Sequence, residues 1–122
     1  MRALALLPAL IITLLGCKAS MELPSRLADG EYVFSHRYAE HPWMESITLT
    51  ARIQGDHIVL INDGDSAVFP RGKIEEGRLY WHAPSAQWIV IHSDEDREAV
   101  EVGGCSDGPE VIDLARRIYW TC

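Results

Sequence analysis

No apolar run in this sequence of 122 residues is long enough to cross a membrane as a helix. A spanning helix needs roughly 20 consecutive apolar residues. The longest stretch, residues 3–15, has thirteen positions and is interrupted by Pro8. Internal repeats and low-complexity tracts are also absent. These absences argue against a permanent transmembrane helix and against a repeat architecture.

Positive charge is scarce in the sequence. After residue 16, ten Lys and Arg face eighteen Asp and Glu, so the formal net charge moves from -7 for the whole chain to -8. Nucleic acids select basic surfaces, and we therefore expect no nucleic-acid partner. An acidic surface gives solubility or attracts a cationic partner, and composition leaves both interpretations open.

The N-terminal residues have the pattern of a signal peptide. A charged start at Arg2 is followed by the apolar stretch 3–15 and by Gly16, directly before Cys17. The run Leu14-Leu15-Gly16-Cys17 resembles the lipobox of bacterial lipoproteins, in which the signal is cut before the cysteine and its thiol receives diacylglycerol. The resemblance implies a signal peptide over residues 1–16 and lipidation of Cys17. The alternative is an ordinary secretory signal that happens to contain a cysteine.

Lipidation would place the mature protein on a membrane surface of the cell envelope. In enterobacterial lipoproteins an aspartate after the lipidated cysteine favours the inner membrane, and Lys18 stands at that position. The resemblance thus implies the outer membrane, facing the periplasm. Residues 17–29 predict a tether that spans at most roughly 40 Å, and residues 30–122 predict one domain.

Only three cysteines are present. With Cys17 lipidated, Cys105 and Cys122 remain as a pair in an oxidising compartment, and we expect them to form a disulfide. Two free thiols or a metal pair are the alternatives, but no supporting ligands lie nearby in the sequence.

Alternation of apolar and polar residues predicts an all-β domain. It is clearest for two sets of residues: Tyr32, Phe34, His36 and Tyr38, then Ile47, Leu49, Ala51 and Ile53. Further short strands are expected at 58–61, 67–69, 73–74, 78–82, 87–92, 98–102 and 118–121, with a turn at 75–77 and a helical turn near 110–115. About eight short strands with short connections favour a small antiparallel meander barrel, of which a lipocalin-like barrel is one form. Such a barrel is either filled by side chains or holds one small ligand.

Residues that could carry catalysis form no coherent set. Gly104-Cys105-Ser106-Asp107-Gly108 matches the G-x-S-x-G nucleophile pattern. α/β-Hydrolases, however, place the histidine after the serine, and no histidine follows His92. A serine hydrolase using Ser106 with His82 or His92 is the alternative, and a Gly-rich turn is the expectation. The spacing of His36 and His41 is not a recognised ligand pattern, so we predict no metal site, no cofactor and no enzyme.

Four tryptophans are the most distinctive apolar residues. Trp81, Trp88 and Trp120 lie in predicted strands and are expected to fill the barrel. Trp43 lies in a Pro-containing loop, where an aromatic residue either caps the interior or contacts a partner. We therefore predict Trp43 as a binding residue, with a cationic envelope protein or a small apolar ligand as its partner.

The lipobox, a barrel of about a hundred residues, the acidic surface and a C-terminal disulfide are together similar to membrane-bound lysozyme inhibitors. That family has an S-G-x-x-Y motif, of which Gly77 and Tyr80 are present, with Glu76 in place of the serine. The later lysine-glycine loop of the family is missing. The resemblance implies lysozyme inhibition as an alternative function and Tyr80 as a second binding residue.

Overall fold

The computed structural model describes residues 23–122. The predicted signal peptide, Cys17 and the first part of the predicted tether lie outside the described residues. Within residues 23–122, no helix is both long and apolar enough to cross a membrane.

The described chain is an all-β barrel, as the sequence pattern predicted. Its seven strands, β1 to β7 in chain order, are Gly30–Tyr38, Thr48–Gln54, His57–Asn62, Gly72–His82, Gln87–Ile91, Val111–Asp113 and Ile118–Thr121. One short 3-10 helix (Asp94–Glu98) follows β5. The strands form a closed ring in sequence order, which is the predicted meander.

The number of strands decides how the ring closes. Consecutive strands pair antiparallel, so in a meander of seven the first and last strands run in the same direction. The β1–β7 seam is accordingly parallel, with Ser35 opposite Ile118 and Tyr38 opposite Thr121. The sequence predicted about eight strands, which would have closed with an antiparallel seam.

Two predicted strands are wrong. Residues 67–69 form bends, because the buried Asn62 side chain donates to the carbonyl of Phe69 at 3.0 Å and holds that segment as a loop. Residues 98–102 lie along the outside of the barrel, where the carbonyl of Ala99 is 2.7 Å from Nε2 of His82. The turn expected at 75–77 is also wrong, since these residues pair with β3 inside the continuous strand β4.

The predicted helical turn near 110–115 is replaced by β6. Val111 and Ile112 pair with β5 and thereby extend the ring. The 3-10 helix instead begins after Ser93, where Oδ2 of Asp96 accepts hydrogen bonds from the backbone N–H groups of His92 at 2.7 Å and Ser93 at 3.3 Å.

The interior of the barrel is packed with apolar side chains that alternate along the strands. Its core consists of Phe34, Leu49, Ala51, Ile53, Ile58, Leu60, Leu79, Trp88, Val90, Ile112, Leu114 and Tyr119. Trp81 and Trp88 lie edge to face, with ring centres 5.5 Å apart. The prediction for Trp120 is wrong: because Tyr119 faces inward, its neighbour Trp120 faces outward.

A second apolar cluster lies on the outer face of the barrel. Ile89, Ile91 and Val111 form it, with Tyr80, Val102 and Trp120 partly buried against them. Loop 92–110 covers this cluster, and a disulfide between Cys105 and Cys122 fastens the loop to the end of β7. The predicted disulfide is therefore confirmed. Closing a loop of 17 residues stabilises the folded chain by about 3 kcal/mol.

The segment before β1 contacts one end of the barrel. Leu27 packs against the core, and Oδ1 of Asp29 accepts a hydrogen bond from the backbone N–H of Gly55 at 2.7 Å. The guanidinium of Arg26 lies 5.9 Å from the ring centre of Trp88. The last residues of the predicted tether thus lie against the domain.

We predict that Gly77→Ala destabilises the barrel by about 1–3 kcal/mol, the usual effect of overpacking. A Cβ at this position would lie 2.5 Å from the carbonyl oxygen of Ile91, which is backbone and cannot move aside easily. Gly64→Ala is the matched control, because its Cβ would meet only the Asn62 side chain at 3.5 Å. Urea unfolding measures both, and equal midpoints for the two variants would contradict the prediction.

Candidate functional site

The two ends of the barrel differ in the length of their connections. Because a meander turns alternately at each end, loops 39–47, 63–71 and 92–110 all lie at one end, which we call the loop end. Turns 55–56, 83–86 and 114–117 lie at the other, together with segment 23–29, and we call this the short-turn end. Long loops on a rigid scaffold are the usual location of binding residues.

Negative charge is concentrated on the three long loops. They contain eleven Asp and Glu and two Lys and Arg, a net charge of -9. The remaining described residues contain six acidic and seven basic side chains, a net charge of +1. The acidity of the protein is thus a property of one set of loops.

Many of these loop carboxylates have no cationic neighbour. Seven of them are exposed and form no ion pair with any residue of the range 23–122: Glu40, Glu45, Asp63, Glu95, Glu98, Glu101 and Asp107. A group of unpaired carboxylates produces a negative field, which raises the association rate of a cationic protein.

Trp43 is held in an exposed position by an ordered turn. Its side chain is 76% exposed, and the neighbouring Met44 is 43% exposed. The His41 ring meets the Trp43 ring edge to face at 5.6 Å, and the N–H of Met44 donates to the carbonyl of His41 at 3.0 Å. Arg37 donates to the carbonyl of Met44 at 2.9 Å. The sequence placed Trp43 in a loop, and the structure presents it to solvent.

The end of β7 brings the Trp43 loop and loop 92–110 together. The backbone N–H of Ala39 donates to the carbonyl of Thr121 at 2.7 Å, and Cys122 is bonded to Cys105. Oε1 of Glu40 lies 3.4 Å from Sγ of Cys105. Glu40, three residues before Trp43, therefore lies against loop 92–110, and the two loops form one surface at the loop end.

His36 joins the elements beneath this surface. It is fully buried, with Nδ1 2.6 Å from Oγ of Ser46 and Nε2 2.8 Å from Oγ1 of Thr121. The Phe69 ring packs on it edge to face at 4.8 Å. Burial, assisted by the positive charge of Arg37, lowers the pKa of His36, so the ring is neutral at pH 7.

The two hydroxyl partners also occupy both ring nitrogens of His36, and His41 is not one of its neighbours. Residues 23–122 contain no group of three or more His, Cys, Asp and Glu side chains placed to bind a metal ion.

A cluster of acidic and hydroxyl side chains lies where β4, β6 and β7 approach the loop end. The hydroxyl of Tyr119 donates to Oε2 of Glu75 at 2.9 Å, and Nε2 of His92 is hydrogen-bonded to Oε1 of the same carboxylate. Oε2 of Glu110 is buried without a hydrogen-bond partner among the described residues. Burial and the nearby Glu75 raise the pKa of Glu110, and burial together with Glu75 raises that of Tyr119.

The sequence did not predict this cluster. Glu75 was assigned to a turn, and Glu110 lies far from it along the chain. The signal that could have placed its carboxylate inside is the parity of β4, since Glu75 lies four and six positions before the inward-facing Leu79 and Trp81.

Ser106 is engaged within its own loop. Its hydroxyl donates to the carbonyl of Gly103 at 2.7 Å and accepts from the N–H of Gly108 at 3.3 Å. The two histidines considered as bases are bonded elsewhere: His82 to Ser85 and Ala99, and His92 to Glu75. The structure therefore does not bring either base to Ser106.

Tyr80 lies on the outer face of β4, apart from the Trp43 loop. Its ring is partly buried in the outer cluster, and the guanidinium of Arg97 lies 5.7 Å above it. Gly77 from the same motif faces the backbone of Ile91. Tyr80 is thus packed beneath loop 92–110.

An open groove of about 490 Å³ runs beside β6. It is lined by residues of the N-terminal segment, β4 to β7 and two long loops, including Pro24, Trp81, Trp88, Val102 and Trp120. Its volume is within the roughly 300–1,000 Å³ range of ligand pockets. The groove, unlike the filled interior, has space for a small apolar molecule.

Comparison with known proteins found no matching family model, no matching curated protein and no matching solved structure. The function of the chain is therefore inferred from its site geometry.

We predict that Glu110→Gln stabilises the fold at pH 7 and loses this advantage as the pH falls. A raised pKa means that the folded state binds a proton more tightly than the unfolded state, so the native carboxylate opposes folding most at high pH. The amide carries no charge at any pH. Urea unfolding at several pH values measures the difference, with the exposed Glu45→Gln as control. A Glu110→Gln effect that is independent of pH would contradict the prediction.

Proposed function

We propose that this chain is a lipid-anchored protein of the bacterial envelope whose barrel binds a cationic protein partner through its loop end and catalyses no reaction. The distribution of charge carries the proposal. The net charge of -9 lies on loops at one end, whereas the segment that leads to Cys17 leaves from the other. The binding loops of the anchored protein would then point away from the membrane.

The anchor is supported by Leu14-Leu15-Gly16-Cys17 and by the position of the first described residues. From Cys17 to Leu23 the chain reaches at most roughly 20 Å, so the short-turn end stays near the headgroups. Lys18 after the cysteine supports the outer membrane, with the barrel in the periplasm.

Trp43 would supply the apolar contact of the interface, and the loop carboxylates would supply attraction. Exposed aromatic residues at the centre of an interface contribute much of its binding energy. Charges around the rim chiefly raise the association rate and select a partner of opposite sign. Glu40 and Glu45 flank Trp43 in the sequence and are both exposed.

Lysozyme inhibition is a second candidate, which the acidic charge of the loops favours. Tyr80, the motif residue shared with that family, is partly buried beneath Arg97. Contact with lysozyme would therefore be made by the loop end and Trp43. Binding of a small apolar ligand is a third candidate, which the groove beside β6 favours.

We predict that Cys17→Ser abolishes labelling by a fatty-acid probe in growing cells and releases the protein from the membrane fraction. The thiol of Cys17 is the proposed attachment point of the diacylglycerol, so its loss removes the anchor. The double variant Cys105→Ser/Cys122→Ser is the control and should keep its label. Labelling that survives Cys17→Ser would contradict the anchor.

With lysozyme as the cationic probe, we predict binding by the lipidated chain in detergent that weakens as salt is added. Trp43→Ala should weaken it about 30-fold, because the substitution removes the apolar contact. Glu40→Gln/Glu45→Gln should mainly slow association. Glu31→Gln is the matched control, since Glu31 lies outside the long loops and pairs with Arg52 at 2.7 Å.

Lysozyme activity that is unchanged by the protein would remove lysozyme inhibition as a function. Crosslinking in intact envelopes then tests the wider proposal. A partner captured by the native protein and by Glu31→Gln, but not by Trp43→Ala, is the expected result. A crosslinking pattern identical in all three proteins would contradict binding through Trp43.

A further inference from the structure

The three long loops at the loop end carry a net charge of -9, and the remaining described residues carry +1. The proposed anchor is attached to the short-turn end, which is the less acidic one. We propose that the short-turn end is a membrane-docking surface that rests on anionic phospholipid headgroups through Arg26 and Arg117. The inference depends on the proposed anchor at Cys17 and adds to it a defined orientation of the barrel.

Two arginines at the short-turn end are exposed and held in place by aromatic rings. The guanidinium of Arg26 lies 5.9 Å from the Trp88 ring centre, and that of Arg117 lies 5.0 Å from the Tyr32 ring centre. Neither forms an ion pair with any residue in 23–122. Cation–π contacts restrict the side chains but leave the N–H groups of the guanidinium available for phosphate oxygens.

The other charges at this end are few. Asp29 accepts a hydrogen bond from Gly55, and Asp56 lies in the same turn. Arg116 is paired with Asp113 at 2.8 Å, so it contributes less free charge. Segment 23–29 and the three short turns contain three arginines and two aspartates, a net charge of +1. An anionic bilayer therefore attracts this end weakly and repels the loop end strongly.

The length of the chain outside the described residues places this end close to the lipid. Leu23 is 58% exposed, and only residues 18–22 separate it from Cys17. This linker spans at most roughly 20 Å when extended. Electrostatic forces at physiological salt act over a Debye length of about 8 Å. Because the anchor makes docking intramolecular, contacts that are weak in solution become significant.

The test uses the full lipidated chain in vesicles of phosphatidylcholine, with or without phosphatidylglycerol. Ala115→Trp adds a fluorescent reporter at an exposed position in turn 114–117. We expect phospholipids with brominated acyl chains to quench this reporter more strongly in the vesicles that contain phosphatidylglycerol. Added salt should remove the difference, because it screens the arginine–phosphate attraction.

Substitution of the arginines tests the assignment. Arg26→Gln and Arg117→Gln, in the reporter background, should each lower the ratio of docked to undocked protein about fivefold. Arg71→Gln is the matched control, because Arg71 lies in a long loop and pairs with Asp65 at 3.3 Å. Urea unfolding of each variant confirms that the barrel is intact.

Equal quenching in the two kinds of vesicle, or equal quenching of the arginine variants and the parent, would overturn the docking surface. A quenched signal that disappears with Trp43→Phe would overturn it as well, because the loop end would then face the lipid. A reporter signal that changes with protein concentration in detergent would assign this end to contact with a second copy. Release of the chain from both kinds of vesicle would overturn the anchor and the docking surface together. If the chain stays on both kinds of vesicle but its quenching does not depend on phosphatidylglycerol, only the docking surface is overturned.

Discussion

The parallel pairing of β1 with β7 closes the sheet, and the placement of every loop depends on that closure. With seven strands in a meander, the connections alternate between two ends, and the three long ones fall at the same end. A closed ring leaves no free sheet edge, so the strands present no template for aggregation. Loops on such a rigid scaffold are the usual place for variation in length and sequence.

Polar side chains inside the barrel connect the loop end to its scaffold. His36 contacts β7 through Thr121, the first long loop through Ser46 and the second through Phe69. Its neutral ring satisfies both hydroxyl partners without a buried charge. The carboxyl of Glu110 is less well accommodated, since one oxygen lacks a partner and Glu75 lies nearby. Buried His36 therefore links the elements at the base of the candidate binding surface. Burial also raises the pKa of Glu110 there.

Local pattern predicted the central strands well and the outer segments badly. The predicted alternation from Ile47 to Ile53 matches β2 from Leu49 onward, and the buried positions of β1 and β3 follow the same period. Residues 98–102 have comparable composition but lie on the outer cluster rather than in the sheet, with Val102 partly buried. An apolar residue has the same hydropathy against either surface of a barrel, so periodicity alone did not distinguish a strand from a covering loop.

The sequence by itself determined the all-β class, the pairing of Cys105 with Cys122 and the excess of negative charge. These depend on local alternation, on the number of cysteines and on composition. The tertiary structure decided the number of strands, the parallel seam, the outward direction of Trp120 and the meeting of Glu75 with Glu110. Closure is a property of the whole ring, because one strand more or fewer reverses the direction of the last. Only the closed barrel therefore shows that the acidic loops and segment 23–29 lie at opposite ends.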